Sequence, residues 1–220
     1  MLLFKFGEVE HLRALQTGTV YLSPWQYFKT CENKAERDAY EGTREWLNPT
    51  ISSIEVAGHK FTATGGTMSM SLSYPDSQTK IFSASELRSD RDRVTGPIFD
   101  PRLLRHGSHL LVMRNAAQFI EQLRTALKTL CDQNIVEGAA TAFVTYFDKN
   151  TYDGEVGPFR KTMDLSYEKE WRLVLRTVAM DEEPFILEIG SIESISTLME
   201  TKEFRNRVER HDDGSIHITI

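Results

Sequence analysis

The chain has 220 residues, of which 26% are charged and 40% hydrophobic, and its formal net charge is −6 at pH 7. This length fits one large domain or two small ones, and the composition is that of a globular protein, so disorder is not expected. The acidic balance argues against a broad phosphate-binding surface and does not support a nucleic-acid partner, although a local basic groove stays compatible with it. We expect no signal peptide and no membrane span.

The residues that usually form metal sites are scattered. Cys31 and Cys131 lie far apart, and neither belongs to a Cys-x-x-Cys motif, so both are interpreted as reduced thiols of a cytoplasmic protein. His106 and His109 are close, but no third ligand follows at metal-site spacing, so no metal is expected. The chain also contains no GxSxG elbow, P-loop, GxGxxG or HExxH motif.

The N-terminal part of the chain predicts short strands and helices in alternation. Leu2–Phe6 is predicted to be a strand, and Glu8–Gln16 a helix that ends before Gly18. Val20–Leu22 predicts a second strand. Ser23-Pro24 then predicts the start of another helix, with the serine as its N-cap.

The middle of the chain contains one hairpin pattern and two less regular stretches. Ile51–Val56 and Lys60–Thr64 are predicted to pair as a hairpin. Thr67–Ser73 alternates apolar residues with serines, which is typical of a strand whose hydroxyl face meets either water or a ligand cleft. Glu32–Glu45 is interpreted as a loop or exposed helix, and Tyr74–Leu104 as a long loop with a short helix.

The second half has stronger periodicity. Ser108–Met113 predicts a buried strand, Asn115–Asp132 an amphipathic helix capped by its asparagine, and Thr141–Phe147 another strand. Ser166–Leu175 predicts a strand, and Phe185–Ile189 is expected to pair with it. No linker, repeat or low-complexity tract divides the chain, so we expect a single α+β domain with a mostly antiparallel, split sheet and a few helices packed on it.

The segment Ser166–Leu175 carries the pattern with the most chemical content. As a strand it has one apolar and one ionic face, formed by Trp171, Leu173 and Leu175 and by Glu168, Glu170, Arg172 and Arg176, respectively. Two carboxylates beside a guanidinium can carry out acid–base chemistry. The same pattern is typical of solvated ion pairs, which are common and individually weak, and the local sequence leaves both interpretations open.

Both ends of the chain resemble a widespread family of uncharacterised bacterial and phage proteins, known only as a domain of unknown function. The matching residues are Leu3-Phe4-Lys5-Phe6, Gly18-Thr19-Val20-Tyr21-Leu22-Ser23-Pro24, Tyr27-Phe28, Lys161 and Tyr167-Glu168-Lys169-Glu170-Trp171-Arg172-Leu173. This chain has Lys29-Thr30-Cys31 where family members usually have Asn-Asp-Pro, and it lacks their Trp-x-x-Tyr segment. The resemblance therefore implies a divergent member.

A second resemblance is to ADP-ribosyltransferases of the Arg-Ser-Glu type. Glu168-Lys169-Glu170 looks like the family's E-x-E motif, and Ser69-Met70-Ser71 looks like its S-T-S strand. Lys5 stands where the family has an arginine on its first strand. This resemblance implies that NAD binds between two small sheets and that ADP-ribose is transferred to a macromolecular acceptor or to water, in the setting of bacterial–phage conflict as a toxin or anti-defence protein.

The same resemblance implies roles for individual residues. Glu170 would stabilise an oxocarbenium-like state, Glu168 would position or deprotonate the acceptor, and Ser69 would hold the neighbouring carboxylate or the ribose. Basic side chains would contact the pyrophosphate and tyrosines would stack on a ring of NAD. The residues expected to bind the cofactor in these ways are Lys5, Tyr21, Tyr27, Ser71, Tyr167 and Arg172, with Arg176 as a further pyrophosphate candidate.

Two other functions are weighed against this one. The first is a non-enzymatic module that sequesters a nucleotide or inhibits a host or phage protein, in which the charged residues around Glu170 form a structural network. The second is a nuclease-like toxin or RNA-targeting protein, which the acidic balance and the missing His-Lys-Glu or metal cluster weaken. A pocket in which Glu170 and Ser69 converge would favour catalysis or ligand binding, whereas a Glu170 saturated by Arg172 or Lys161 with no adjoining cavity would favour the structural network.

Overall fold

A computed structural model describes residues 1–31, 38–48, 50–67, 70–73, 77–87, 100–210 and 216–220. Within these residues the helices are α1 Val9–Thr17, α2 Trp25–Thr30, α3 Ala116–Asp132 and α4 Thr201–Asn206. The strands are β1 Leu2–Gly7, β2 Thr19–Pro24, β3 Thr43–Leu47, β4 Thr50–Val56, β5 His59–Thr67, β6 Met70–Ser73, β7 Thr79–Leu87, β8 His109–Met113, β9 Val136–Phe143, β10 Thr145–Phe147, β11 Gly154–Glu155, β12 Arg160–Thr162, β13 Glu170–Thr177, β14 Phe185–Glu188, β15 Ser196–Glu200, β16 Val208–Arg210 and β17 Ile216–Ile218. Short 3-10 helices span Pro101–His106, Gly157–Phe159, Met163–Glu168 and Glu193–Ile195.

An eight-stranded antiparallel sheet is the centre of the molecule. Its strands follow the order β14-β2-β7-β1-β8-β15, and β13 and β9 continue the sheet from the other edge of β7. A three-stranded sheet of β11, β3 and β6 and the two-stranded pairs β4–β5, β10–β12 and β16–β17 lie outside this path. The expected fold class, α+β with a mostly antiparallel sheet and a few helices, is confirmed.

The main sheet divides at β7. One edge of β7 pairs with β13 from Thr79 to Ser85. The other edge pairs with β2 at Lys80 and Ile81 and with β1 from Ser85 onward. Since β13 occupies the first edge over this whole length, β1 and β2 share the second edge and separate on either side of Ser83. The sheet therefore has a fork in which two strands diverge from one.

The main core lies on one face of this sheet. Helix α3 covers it, and the Asn115 side chain caps that helix by accepting a hydrogen bond from the Gln118 backbone N–H at 3.1 Å. The residues predicted for the apolar face of the segment Ser166–Leu175, namely Trp171, Leu173 and Leu175, are all buried in this core. A second apolar cluster on the opposite face includes Phe4, Phe6, Leu103 and Leu110.

Several element predictions are wrong, and each error has a physical reason. The stretch predicted as a long loop contains β7, whose buried Lys80 and two serines hide the alternation of a core strand. Strand β14 pairs with β2 rather than with β13. Ser23 belongs to strand β2, and the N-cap of α2 is Pro24. The hairpin of β4 and β5 and the helix over Ala116–Asp132 are confirmed.

Candidate functional site

The charged residues predicted for the segment Ser166–Leu175 do come together, but a 3-10 helix followed by a strand replaces the single strand that was expected. Residues Met163–Glu168 make a 3-10 helix, and Lys169 follows it with a positive φ of 43°. Strand β13 therefore begins at Glu170, and the prediction of a continuous strand from Ser166 is wrong. Glu168 reaches the site from the last position of the 3-10 helix, two residues before the strand begins.

Lys161 joins the two glutamates. Its Nζ lies 2.8 Å from Glu168 Oε2 and 3.0 Å from Glu170 Oε2. The Arg172 Nε donates to the same Glu170 oxygen at 3.0 Å. All four side chains are at most 10% exposed. Their contacts are therefore those of a buried network, and the solvated ion pairs that the local pattern allowed are not what forms here.

Two acids from the turn at 38–42 complete the cluster. The Arg172 guanidinium donates two hydrogen bonds to the Glu41 carboxylate, from Nη1 to Oε1 at 2.9 Å and from Nη2 to Oε2 at 2.6 Å. Asp38 Oδ2 lies 3.9 Å from Lys161 Nζ. Sequence reasoning placed both acids in a loop or exposed helix, because a charged run gives no sign of which members are buried. The cluster holds four carboxyl groups against two cations.

Burial and neighbouring charges shift the pKa values of the buried carboxyl groups in different directions. Burial raises the pKa of Glu170, but Arg172 and Lys161 outweigh that effect and hold the value at about 2. Burial raises the pKa of Glu168 and of Asp38 more than the nearby Lys161 lowers it. Glu170 is thus firmly ionised, whereas Glu168 and Asp38 hold protons more readily than an ordinary carboxyl group.

A serine contacts Glu170, but it is not the predicted one. Ser69 lies outside the described residues, and Ser71 is on β6, where its backbone pairs with Trp46 of β3 in the small sheet. The Ser83 hydroxyl hydrogen-bonds to Glu170, and Ser83 pairs directly with Arg172 across the β7–β13 ladder. The signal for it was Ser83-Ala84-Ser85, a second Ser-x-Ser pattern that the loop interpretation of this stretch concealed.

A cavity of about 600 Å³ adjoins the cluster at the fork of the sheet. Its buried lining includes Glu170, Arg172 and Lys161, whereas Tyr21 and Tyr27 line it from its exposed side. Its lining comes from β1, α1, β2, α2, β7, β13 and the 3-10 helix Pro101–His106, together with Glu41, Lys161 and Glu168. This volume is within the range of pockets that enclose small molecules and cofactors.

Lys5 lies on β1, on the wall of this cavity. Its Nζ donates to the Ser83 carbonyl at 2.8 Å and sits 5.0 Å from the centre of the Phe82 ring. The fork explains this contact, because neither β1 nor β2 reaches the Ser83 carbonyl with its own backbone. The first-strand cation and the serine of β7 are thus brought together.

The other residues predicted to bind the cofactor differ in whether they line this cavity. Arg172 lines the cavity, but its guanidinium is already bound by two glutamates and by the Pro158 carbonyl at 2.6 Å. The Tyr167 ring is outside the cavity lining and lies under Arg102, 3.6 Å from the guanidinium carbon to the ring centre. Arg176 is half-exposed and pairs with Glu137 on β9 at 2.7 Å. Neither Tyr167 nor Arg176 belongs to the lining of this cavity, and the roles predicted for them stay predictions.

Neither criterion that was to separate ligand binding from a structural network is met as stated, because Ser69 lies outside the described residues and a cavity adjoins the saturated Glu170. Glu170 is bound by Lys161 and Arg172, and a cavity nevertheless adjoins it. Among the described residues no group of three or more His, Cys, Asp or Glu side chains is arranged to hold a metal ion. Nor does any helix in the described part of the chain have the length and hydropathy needed to cross a membrane.

Comparison of the chain with protein-family models, with curated proteins and with solved structures finds no match. The two resemblances drawn from short motifs are therefore still predictions. The geometry of the cluster and cavity is the basis for the function proposed below.

Proposed function

We propose that the protein is a cytoplasmic NAD-using enzyme of the ADP-ribosyltransferase kind, which transfers ADP-ribose to a macromolecular acceptor or to water. The observation that carries the proposal is the ionised Glu170, bonded to Ser83 and set on the floor of a cavity of about 600 Å³ at the fork of the sheet. Two free thiols, Cys31 and Cys131, are in keeping with a reducing compartment.

The proposed reaction breaks the bond between the nicotinamide nitrogen and C1′ of the ribose. The bonding electron pair passes to the nicotinamide ring, which becomes neutral, and the ribose becomes an oxocarbenium-like cation. A carboxylate that is already ionised and fixed stabilises this cation without rearranging during the reaction. Glu170 fits this role because its pKa of about 2 keeps it charged over the physiological pH range.

The incoming nucleophile forms a bond to C1′ and loses a proton. Glu168 is the group that we assign to this step, since it lies beside Glu170 through their shared contact with Lys161. Its raised pKa makes it a better proton acceptor than an ordinary carboxylate whenever it is ionised. Lys161 and Arg172 are assigned as positioning residues, which hold both acids in place.

The direct test is release of nicotinamide. Purified protein is incubated with NAD, alone and with protein or nucleic-acid acceptors, and free nicotinamide is measured beside the variant Glu170→Gln. We expect the wild type to release nicotinamide and the variant to be slower by roughly a hundredfold or more, as for loss of other preorganised electrostatic groups.

The matched control is Glu137→Gln, which removes a carboxylate from a half-exposed ion pair on β9. It should leave the rate unchanged. Melting curves of each variant separate loss of chemistry from loss of folding. Equal inactivity of the wild type and Glu170→Gln with every acceptor would contradict the proposal.

A second candidate function is a nucleotide-binding module without catalysis. The observation in its favour is that Glu170 Oε2 is already bound by both Lys161 and Arg172, as in a structural network. Its signature in the same experiment is distinct: NAD would bind and raise the melting temperature, but no nicotinamide would be released.

A further inference from the structure

The main chain of Glu170 lies at the point where the ladder between β9 and β13 ends. The two strands pair as far as Trp171 and Phe143, and one step further the Val144 N–H donates to the Glu170 carbonyl at 2.8 Å. A regular antiparallel ladder would return a hydrogen bond from the Glu170 N–H to the Val144 carbonyl. Because Glu170 is only 7% exposed, its N–H needs an acceptor within the protein.

A side-chain hydroxyl supplies that acceptor. The Glu170 N–H donates to the Tyr146 hydroxyl oxygen at 2.9 Å. Tyr146 lies on β10, which begins directly after the chain has left β9 at Val144. Burial and then the charge of Glu170 raise the pKa of the Tyr146 hydroxyl above its ordinary value of 10, so the group keeps its proton. A neutral hydroxyl is compatible with a neighbouring carboxylate, whereas a phenolate would be repelled by it.

The strand pair that carries Tyr146 also carries Lys161. Strands β10 and β12 are parallel, and Tyr146 pairs directly with Lys161, so the two side chains lie on the same face of this pair. Lys161 contacts the Glu170 carboxylate at 3.0 Å, and Tyr146 contacts the Glu170 backbone. One two-stranded unit therefore holds Glu170 at two points, one on its side chain and one on its main chain.

We propose that Tyr146 is a positioning residue, whose hydroxyl fixes the first backbone amide of β13 and thereby the direction in which the Glu170 carboxylate points. Tyr146 is not among the residues that line the cavity, so it affects a bound substrate only through the residues that it holds. The proposal rests on the proposed function, in which Glu170 stabilises the oxocarbenium-like state. A carboxylate that is fixed before the reaction stabilises developing charge better than one that must first move.

The variant Tyr146→Phe tests this role, because it removes the hydroxyl and keeps the ring. With NAD as substrate, we expect kcat to fall by roughly ten- to a hundredfold, since a small misplacement of a reacting group has a large effect on rate. KM should stay within about twofold, because the cavity lining is unchanged. The control Tyr152→Phe removes a hydroxyl that donates to the Glu155 carbonyl and should leave both constants unchanged. Melting curves of both variants check folding.

A second measurement does not depend on cleavage of NAD. Hydrogen exchange of single backbone amides, followed by NMR, should be at least roughly tenfold faster at Glu170 in Tyr146→Phe, because its N–H loses its acceptor. Exchange at Leu173, further along the same strand, should be unchanged, whereas general destabilisation would speed up both.

The two measurements together separate this proposal from the proposed function. An active wild type whose Tyr146→Phe variant keeps its kcat would overturn the positioning role and leave the proposed function standing. Unchanged exchange at Glu170 would overturn it as well. A wild type that releases no nicotinamide would contradict the proposed function, and the exchange rates would then decide alone whether Tyr146 holds Glu170.

Discussion

At the scale of single residues, two arginines of the same strand have opposite surroundings. Arg172 is 2% exposed and is bound by Glu41 and Glu170, whereas Arg176, four residues on, pairs with Glu137 in a half-exposed position. Removing one partner from a buried ion pair leaves an uncompensated charge, but an exposed pair contributes little. We expect Arg172→Met to lower the free energy of unfolding by about 3–5 kcal/mol.

Urea denaturation measures this difference, and its control is Glu137→Gln, which breaks the half-exposed pair but keeps the hydrogen bond from Arg176 to the buried Gln78. The control should cost about 1 kcal/mol or less, as exposed pairs do. Similar losses in the two variants would mean that the buried network around Arg172 is not what distinguishes these positions.

At the scale of elements, the turn from α1 into β2 sets one wall of the cavity. Gly18 caps α1 with a φ of 114°, and its backbone N–H donates to the Ala14 carbonyl. A Cβ at this position would lie 2.5 Å from the carbonyl carbon and oxygen of Gly190, which no side chain could accommodate. We expect Gly18→Ala to destabilise the fold by roughly 2 kcal/mol or more, from backbone strain and the clash together.

The measurement is the midpoint of chemical unfolding. Gly138→Ala on β9 is the control, because no atom lies within 4 Å of a Cβ there and its φ is not positive. It should be neutral within about 0.5 kcal/mol, the range of ordinary surface substitutions. A stability loss in Gly138→Ala as large as that in Gly18→Ala would show that the contact with Gly190 is not the cause.

The elements that periodicity predicted are those whose stabilising contacts are local. The helix after Asn115 has an apolar stripe and its own cap, so it was predicted from the sequence almost to the residue. Strand β7 was missed because the partners of its buried Lys80 are far away: the Lys80 Nζ donates to the Asp181 and Glu183 carbonyls at 2.7 and 2.6 Å. A lysine in a strand predicts exposure unless those distant acceptors are known.

At the scale of the whole molecule, the site draws on segments that are far apart in the chain. Lys5, Glu41, Ser83, Lys161 and Glu170 meet at one cavity although about 165 residues separate the first from the last. The motif around Glu170 was recognisable because it lies within one short segment. Its partners on β7 and in the turn at 38–42 were not, since only the order of strands in the sheet brings them together.

The buried cluster around Glu170 contains more carboxyl groups than cations, and it gives the molecule a characteristic dependence of stability on pH. Burial raises the pKa of Glu168 and Asp38 above their ordinary values of 4.5 and 3.8, so the folded state binds their protons more readily than the unfolded state. Their contribution to stability is therefore fully present below the ordinary values and is lost as the pH rises through the raised ones. Unfolding free energy should consequently increase as the pH falls from neutral toward about 4.5.

Glu170 acts in the opposite direction at lower pH. Its pKa falls from 4.5 to about 2 in the folded state, so its stabilisation, about 3 kcal/mol, is present above 4.5 and is lost between 4.5 and 2. Denaturation at a series of pH values should give a maximum in the mildly acidic range. Glu168→Gln, which cannot ionise, should flatten the rise above 4.5 and keep the fall below it, whereas Glu121→Gln on the exposed surface of α3 should follow the wild type. A Glu168→Gln profile parallel to that of the wild type would place the titrating group elsewhere.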